Sequence, residues 1–256
     1  MSKIVICGKG GCGKSTVTSL MANYLSKNGK RVLVVDCDES NIGINKMLGV
    51  GKPETTLMET LGGKKAVMEK FRSMNEADVH DSKGLFDSIT FDELPPEAVS
   101  WNNGIGMMEV GKIEKYHEGC ACPMGILAGD VIEHLCERED EWVIVDTEAG
   151  IEHFGRGVER GADHVLMVAD PSEDSALLAV KIKKISEEAS KTFNIVINKA
   201  NDKMAKMMAD RLAKDGVTAD GVIPFSEYVA ETNLCGNSLD SRDVDAVIGR
   251  LVSLMD

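Results

Sequence analysis

Short runs of aliphatic and β-branched residues alternate along this chain with longer stretches of helical character. The runs are continuous rather than alternately apolar and polar, which is typical of strands covered by helices on both faces. They predict strands at residues 3–7, 32–35, 106–110, 142–145, 164–168, 193–197 and 217–223. A helix is predicted over residues 15–28, ended by Asn28-Gly29. Strands separated by helices predict an α/β fold: a doubly wound, mostly parallel sheet with right-handed crossovers and helices on both faces.

The pattern predicts a single domain over residues 1–256, because no internal repeat or low-complexity linker divides the chain. Residues 51–103 fit the alternation least well. One helix is predicted there, near residues 56–72, followed by polar turns and Pro95-Pro96. We interpret this stretch as a helical and irregular insertion within the domain.

Composition and charge narrow the classes of partner. Hydrophobic residues make up 43% of the chain, and no apolar run approaches the roughly 18 residues of a membrane span. The net charge of −13 disfavours nucleic acid and anionic membranes, which are bound mainly through Lys and Arg. The seven cysteines are odd in number and scattered, which favours a reducing cytoplasm over a disulfide framework. No signal peptide is evident.

The octet from Gly8 to Ser15, GKGGCGKS, satisfies two phosphate-binding patterns. It fits the dinucleotide pattern G-x-G-x-x-G, with Asp36 at the end of the next predicted strand as a candidate ribose ligand. It also fits the P-loop G-x-x-x-x-G-K-[ST]. Lys14 and Ser15 favour the P-loop, because a triphosphate site needs an ammonium for the β and γ phosphates and a hydroxyl for Mg²⁺.

Two acids at predicted strand ends complete an ATP site. Asp146 follows the apolar run 142–145 and is predicted to hold Mg²⁺ together with Ser15 and Asp38. Asp38 lies past the second strand, where it is expected to orient or deprotonate the attacking water. A Ca²⁺ loop starting at Asp36 is excluded, because its sixth and twelfth positions are Asn41 and Met47 rather than Gly and Glu.

These residues resemble the deviant Walker A motif of the MinD/ParA/NifH-type P-loop ATPases. The resemblance implies an ATP-dependent homodimer in which Lys9 reaches the partner's ATP, with Lys9, Lys14 and Asp38 as catalytic residues. It also implies that Asp38 and Asp146 are the two switch acids. The implied nucleotide-binding residues are Gly8, Lys9, Gly10, Gly11, Cys12, Gly13, Lys14, Ser15, Thr16 and, around the adenine, Asn198, Lys199, Pro224 and Phe225. The family pattern leaves the position of Cys12 open.

Cys120 and Cys122 form a C-x-C motif ahead of a predicted helix beginning near Pro123. They are either small packing residues or two parallel thiolates, half of a tetrahedral site that a two-fold dimer completes. Thiolates suit Zn²⁺, Ni²⁺ or Cu⁺. An iron–sulfur cluster is a further alternative, and a NifH-like arrangement of it would need Cys136, predicted to lie mid-helix. The remaining cysteines, Cys7, Cys12, Cys37, Cys136 and Cys235, are interpreted as structural.

Taken with the C-x-C motif and the P-loop, the run from Asp146 to Gly157 resembles the CooC group of ATPases. This resemblance implies nickel insertion into carbon monoxide dehydrogenase or acetyl-CoA synthase, with Ni²⁺ or Zn²⁺ at the dimer interface. The alternatives are a NifH-like ATP-dependent electron donor and a MinD/ParA-type positioning ATPase. The acidic C-terminal stretch, residues 243–256, is poorly suited to a membrane surface. His117 and His153 are candidate metal ligands or sensors, although hydrogen bonding is the more common role of such histidines.

Overall fold

The core of the molecule is one eight-stranded sheet in a computed structural model that describes residues 2–74, 84–112 and 122–256. Its spatial order is β3-β4-β2-β5-β1-β6-β7-β8. The strands are β1 (Ser2–Gly8), β2 (Arg31–Asp36), β3 (Val99–Asn102), β4 (Ile105–Glu109), β5 (Glu141–Asp146), β6 (His164–Ala169), β7 (Thr192–Asn198) and β8 (Gly221–Ile223). All neighbouring pairs are parallel except β3 with β4. The predicted doubly wound α/β fold is confirmed.

The helices connect the strands and cover both faces of the sheet. They are α1 (Lys14–Lys27), α2 (Ile44–Leu48), α3 (Leu57–Thr60), α4 (Gly63–Ser73), α5 (Cys122–His134), α6 (Glu152–Arg156), α7 (Glu173–Glu188), α8 (Asp202–Ala213), α9 (Glu227–Leu234) and α10 (Asp245–Leu254), with a 3-10 turn at Pro96–Ala98. None of them, within the ranges described, has the length and apolar character needed to cross a bilayer.

Side chains of the central strands alternate between the two helical layers. Ile4 and Ile6 of β1 belong to a core shared with α1 and α10, whereas Val5 belongs to one shared with α5. A third cluster packs β6 and β7 against α7 and α8. Because β1 and β5 are buried on both faces, apolar residues occupy all of their central positions, 4–7 and 142–145, and each fully buried aliphatic side chain contributes about 1.5–3 kcal/mol. This explains why the sequence shows continuous rather than alternating apolar runs.

Strand register brings polar residues together at the carboxyl edge of the sheet. Asp36 of β2 is the direct partner of Asp146 of β5, and Gly8 of β1 pairs with Val168 of β6. The loop after β1 therefore starts between the ends of β5 and β6. Ligands of open α/β sheets bind outside these strand ends.

The least regular predictions needed correction. The helix predicted over 56–72 is two helices, since Gly62 and Gly63 both have positive φ and α3 starts with its own capping box between Thr56 and Glu59. The strand predicted over 217–223 is formed only at Gly221–Ile223. The predicted insertion also contains edge strand β3, joined to β4 by the left-handed pair Asn103-Gly104. Asn-Gly is a hairpin signal that could have revealed it.

Helix α5 is in backbone contact with the segment that follows α6. A Cβ built on Gly129 would lie 2.5 Å from the carbonyl oxygen of Gly157. A Cβ on Gly161 would lie 2.3 Å from the Cα of Glu133. Real Cβ atoms cannot approach backbone so closely, so α5 and residues 157–161 are held together at glycine positions.

Alanine at Gly161 is expected to destabilise the fold, because the added methyl group collides with the backbone of α5. We expect Gly161→Ala to lower the free energy of unfolding by about 2 kcal/mol and the Tm by several degrees. The matched control is Gly155→Ala, since nothing lies within 4 Å of a Cβ there apart from its own helix and neighbours. Thermal unfolding followed by circular dichroism makes the comparison. Equal Tm values for the two variants would contradict the close contact.

Candidate functional site

The loop predicted to hold phosphate lies between β1 and α1. Gly8, Gly11 and Gly13 have positive φ, and a Cβ on Gly13 would lie 2.4 Å from Asn198 Nδ2. Glycine is therefore required at position 13 by both backbone conformation and space. The Cys12 side chain, with no exposed surface, packs into the core beneath the loop, and burial raises the pKa of its thiol. Cys12, at a position that the family pattern leaves open, is thus part of the hydrophobic core in this protein.

Two residues at the end of β7 hold this loop through its carbonyl groups. Asn198 Nδ2 donates to the Cys12 carbonyl at 2.8 Å, and Lys199 Nζ donates to the Gly11 carbonyl at 2.9 Å. Both side chains were predicted to lie near an adenine. The structure adds a contact with the loop backbone, which the sequence pattern did not reveal because it joins residues about 186 positions apart.

A buried network surrounds Asp146 at the end of β5. Its carboxylate accepts hydrogen bonds from Ser15 Oγ at 2.5 Å, Thr18 Oγ1 at 3.3 Å and Asn41 Nδ2 at 3.3 Å. Burial raises the pKa of Asp146 to about 6, opposed by the Ser15 hydrogen bond and the Lys14 charge. A hydroxyl beside a carboxylate is a donor set that suits Mg²⁺. The structure places Ser15 and Asp146 in contact, and their joint role in holding Mg²⁺ stays a prediction. Thr18 and Asn41 are additional members of this network that no motif indicated.

Lys112 ties the end of β2 to the chain beyond β4. Its Nζ lies 2.6 Å from Asp36 Oδ2 and donates to the Asp38 carbonyl at 2.7 Å. Asp36 is fully buried, and this burial raises its pKa to about 7, opposed by Lys112 and reinforced by Asp146. No sequence pattern indicated a role for Lys112, because its partners lie in a distant segment.

Lys14 and Asp38 share one cavity. It has a volume of about 490 Å³ and is lined by Gly10, Gly11, Lys14, Asp38, Glu39, Ser40, Glu148 and Ala149. The Asp38 carboxylate accepts hydrogen bonds from the backbone N–H of Ser40 at 2.9 Å and from its hydroxyl at 2.6 Å. The predicted phosphate lysine and the predicted water-orienting acid therefore face the same space.

A second cavity, of about 550 Å³, collects the residues predicted around the base. Its lining includes Thr16, Asn198, Lys199, Pro224 and Phe225, together with apolar side chains of α1, α9 and the segment before α10. A mostly apolar cavity with a few polar groups suits a planar base.

Lys9 contacts its own chain. Its Nζ lies 3.5 Å from Asp170 Oδ2 and 3.2 Å from Ser172 Oγ, at the end of β6. Its predicted role in a partner's site stays a prediction. The Asp170 and Ser172 contacts were not anticipated.

Of the C-x-C motif, Cys122 is the exposed first residue of α5, while Cys120 lies outside the described residues, as does His117. The described ranges contain no cluster of three or more His, Cys, Asp or Glu placed to bind a metal. The mid-helix position predicted for Cys136 is wrong: it follows the end of α5 and is exposed, with its sulfur 3.2 Å from Ser88 Oγ. Cys235 is exposed too.

His153 is buried in α6 with its ring 4.5 Å from that of Phe154. Neither ring nitrogen finds a hydrogen-bond partner within the described part of the chain. Burial, reinforced by the charges of Lys14 and Arg156, lowers its pKa to about 3, so the imidazole is neutral near pH 7. In this arrangement His153 packs as an aromatic residue.

Asn198→Ala should weaken binding of the phosphate chain, because the loop loses the hydrogen bond at the Cys12 carbonyl. We expect the Kd for both ATP and tripolyphosphate to rise about tenfold. Isothermal titration calorimetry with the two ligands measures this. The control is Asn233→Ala, an asparagine in the same cavity with no contact to the loop among those described. A loss confined to ATP would instead assign Asn198 to the base alone.

Lys112→Met should destabilise the protein mainly at alkaline pH. The pKa of Asp36 is about 7 in the folded chain against an ordinary 3.8, so folding favours protonated Asp36, and this stability is lost as pH rises through 7. Without Lys112 the folded-state pKa rises further, so above pH 7 the folded variant must either keep Asp36 protonated against the solution pH or bury an unpaired carboxylate, and both lower its stability relative to the parent. Relative to the parent we expect an additional loss of up to about 2 kcal/mol at about pH 8.5, because each pH unit above the parent's pKa costs about 1.4 kcal/mol, and a much smaller loss below pH 7.

Urea unfolding of parent and variant at about pH 6 and about pH 8.5 tests this expectation. Adding Asp36→Asn to Lys112→Met should remove most of the pH dependence. An equal loss of stability at both pH values would exclude Asp36 as its cause.

Comparison with known proteins agrees with this geometry. Residues 3–239 match the CobQ/CobB/MinD/ParA nucleotide binding domain. An uncharacterized ATP-binding protein of Methanocaldococcus jannaschii is 42% identical over 241 residues, 94% of each chain. The carbon monoxide dehydrogenase accessory protein CooC of Rhodospirillum rubrum is 29% identical over 254 residues, 92% of this chain and 88% of CooC.

Among solved structures, the septum site-determining protein MinD of Pyrococcus horikoshii, complexed with Mg-ADP, superposes with a TM-score of 0.69. The alignment covers 98% of this chain and 95% of MinD at 17% identity, which shows a shared fold. The family match spans most of the chain and includes the loop, the acids at the strand ends and β7. The chain therefore belongs to the CobQ/CobB/MinD/ParA family of nucleotide-binding proteins and is an ATPase of that type.

Proposed function

We propose that this ATPase is a dimeric, cytoplasmic metallochaperone that uses ATP hydrolysis to drive nickel insertion into carbon monoxide dehydrogenase or acetyl-CoA synthase. The similarity to CooC along 92% of the chain supports this proposal. The observation that carries it is the position of Cys122. This thiol is exposed at the start of α5, and the first turn of α5 lies against Arg156, in the segment that follows Asp146. The helix that carries Cys122, a candidate ligand of the cargo metal, is thus in contact with the segment that follows Asp146, a candidate Mg²⁺ ligand.

In the proposed ATP site, backbone N–H groups of the glycine-rich loop and the Lys14 ammonium bind the phosphates. Ser15, Asp146 and Asp38 would hold Mg²⁺, which when bound would supply positive charge that offsets the charge of the phosphates. Asp38, across the cavity from Lys14, orients the attacking water. The base occupies the cavity lined by Asn198, Lys199, Pro224 and Phe225, while Asn198 and Lys199 also keep the loop in shape.

The proposed dimer gives Lys9 a second partner. In the single chain its ammonium is paired with Asp170 and Ser172, about a third exposed. ATP phosphates on a second copy would compete for the same ammonium, because both partners are anionic oxygens. Formation of the closed dimer then exchanges the pair with Asp170 for a contact across the interface.

The cargo metal is assigned to Cys120 and Cys122. A two-fold dimer brings four sulfur ligands together, and thiolates bind nickel or zinc in preference to hard cations such as Mg²⁺. The conformational change that accompanies hydrolysis would alter the spacing of these sulfurs and release the metal to the client enzyme.

Metal content tests this assignment. We expect anaerobically purified protein to bind about one Ni²⁺ per two chains, and the double variant Cys120→Ser, Cys122→Ser to lose nearly all of it. Cys235→Ser is the matched control, since Cys235 is also an exposed thiol but belongs to the C-terminal segment after α9. Elemental analysis with and without ATP gives the stoichiometry.

Full nickel binding by the double variant would refute the metal site. A brown, oxygen-sensitive protein that contains iron and sulfide would instead identify an iron–sulfur electron donor. A protein that binds no metal and associates with membrane or DNA when ATP is added would be a positioning ATPase.

A further inference from the structure

The loop after Asp146 is attached directly to the phosphate-binding loop. The N–H of Gly150 donates to the Gly8 carbonyl at 3.1 Å, and the methyl group of Ala149 lies 3.7 Å from a Cβ built on Gly10. Glu148 from the same loop lines the cavity that contains Lys14. A rearrangement of the phosphate-binding loop or of its ligand therefore acts directly on residues 148–150.

Glu148 forms an ion pair with Arg156, the last residue of α6. Both side chains are less than a quarter exposed, so the pair is shielded from much of the solvent. Such a pair is stronger than one on an open surface and costs more to break. This ion pair connects the cavity lined by Lys14 and Glu148, which we call the phosphate cavity, to the C-terminal end of α6.

The stem of Arg156 lies on the first turn of α5. A Cβ built on Gly125 would be 2.6 Å from Arg156 Cδ and 2.7 Å from its Cβ. The arginine can occupy this position only because residue 125 has no side chain. Gly125 is three residues from Cys122, and one turn later the backbone contact of Gly129 with Gly157 fixes the same two segments to each other.

ATP and ADP differ in their effect on this linkage. The γ phosphate adds negative charge to a cavity whose walls include Glu148 and Lys14. Repulsion between that phosphate and the Glu148 carboxylate would change the balance of the Glu148–Arg156 pair, whereas ADP would leave this space without the extra charge. A ligand can shift a conformational equilibrium only through such differential interactions.

We propose that Arg156 is a positioning residue that transmits the nucleotide state of the phosphate cavity to the helix bearing Cys122. Through Glu148 it responds to the γ phosphate, and through Gly125 it sets the position of the first turn of α5. The inference rests on the proposed function only in assigning a metal to Cys122. It deepens that function by naming the residues that regulate the site.

The test measures Cys122 itself and requires no metal. Alkylation of Cys122 by iodoacetamide in the full-length protein is quantified by peptide mass spectrometry, with Mg-ADP and with Mg²⁺ and a non-hydrolysable ATP analogue. Allosteric coupling typically changes an equilibrium by a factor of 5 or more, so we expect the two rates to differ by at least about fivefold in the parent. In Arg156→Met, which keeps the stem on Gly125 but loses the charge, we expect a ratio of about one.

Two further variants separate charge from packing. Arg156→Lys keeps the cation and should retain most of the rate difference. Arg160→Met removes a neighbouring exposed arginine that has no ion pair among the described residues, and it should behave as the parent. If Arg156→Met does not fold, the nearly isosteric Glu148→Gln removes the same ion pair and should abolish the difference too.

The inference is overturned if the parent shows no rate difference, or if Arg156→Met or Glu148→Gln keeps the parent's ratio. The proposed function fails separately. A protein whose Cys122 reactivity follows the nucleotide but which binds no nickel would retain the linkage and lose the metallochaperone assignment. A protein that binds nickel but whose Cys122 reactivity does not depend on the nucleotide would retain the metallochaperone assignment and lose the linkage.

Discussion

The buried carboxylate of Asp146 is the interaction on which the arrangement of this edge of the sheet depends. It has no exposed surface, and taking a carboxylate out of water costs several kcal/mol unless hydrogen bonds replace the lost hydration. Ser15, Thr18 and Asn41 supply them from α1 and from the loop after β2. A single charge at the end of β5 thereby fixes the relative positions of the glycine-rich loop and the loop that carries Asp38.

Local chemistry explains what could be predicted. The fold follows from continuous apolar runs, and the loop, Ser15 and Asp146 follow from residue types next to strand ends. Lys112, Asn41 and Arg156 could not be predicted, because each acquires its role from a partner in a segment that only the folded sheet brings near. Lys112 follows a weakly predicted strand, and nothing in the adjacent sequence distinguishes it from lysines that are expected on the surface.

Charge is distributed unevenly over the molecule. An excess of 13 negative charges would disfavour a polyanion, yet the proposed nucleotide site concentrates cations and backbone donors at one edge of the sheet. Lys14 lines the phosphate cavity, Lys199 braces the loop, and Lys9 is held nearby by Asp170. Acidic groups are present in the same place, and both Asp36 and Asp146 have raised pKa values because burial disfavours their ionised forms. The proposed site thus combines cationic groups that would attract phosphates with carboxylates whose ionised forms a bound cation would stabilise.

The two edge strands of the sheet, β3 and β8, limit how copies of this chain can associate. β3 is a four-residue antiparallel strand whose Trp101 ring packs across Gly106 beneath Arg31, and β8 is three residues long and followed by Pro224. Such short edge strands, of which β8 is followed directly by proline, offer few unpaired backbone groups for another strand to join. Growth of a continuous intermolecular sheet is disfavoured at both edges. Pairing of these edge strands is therefore not the route by which two copies of this chain would associate.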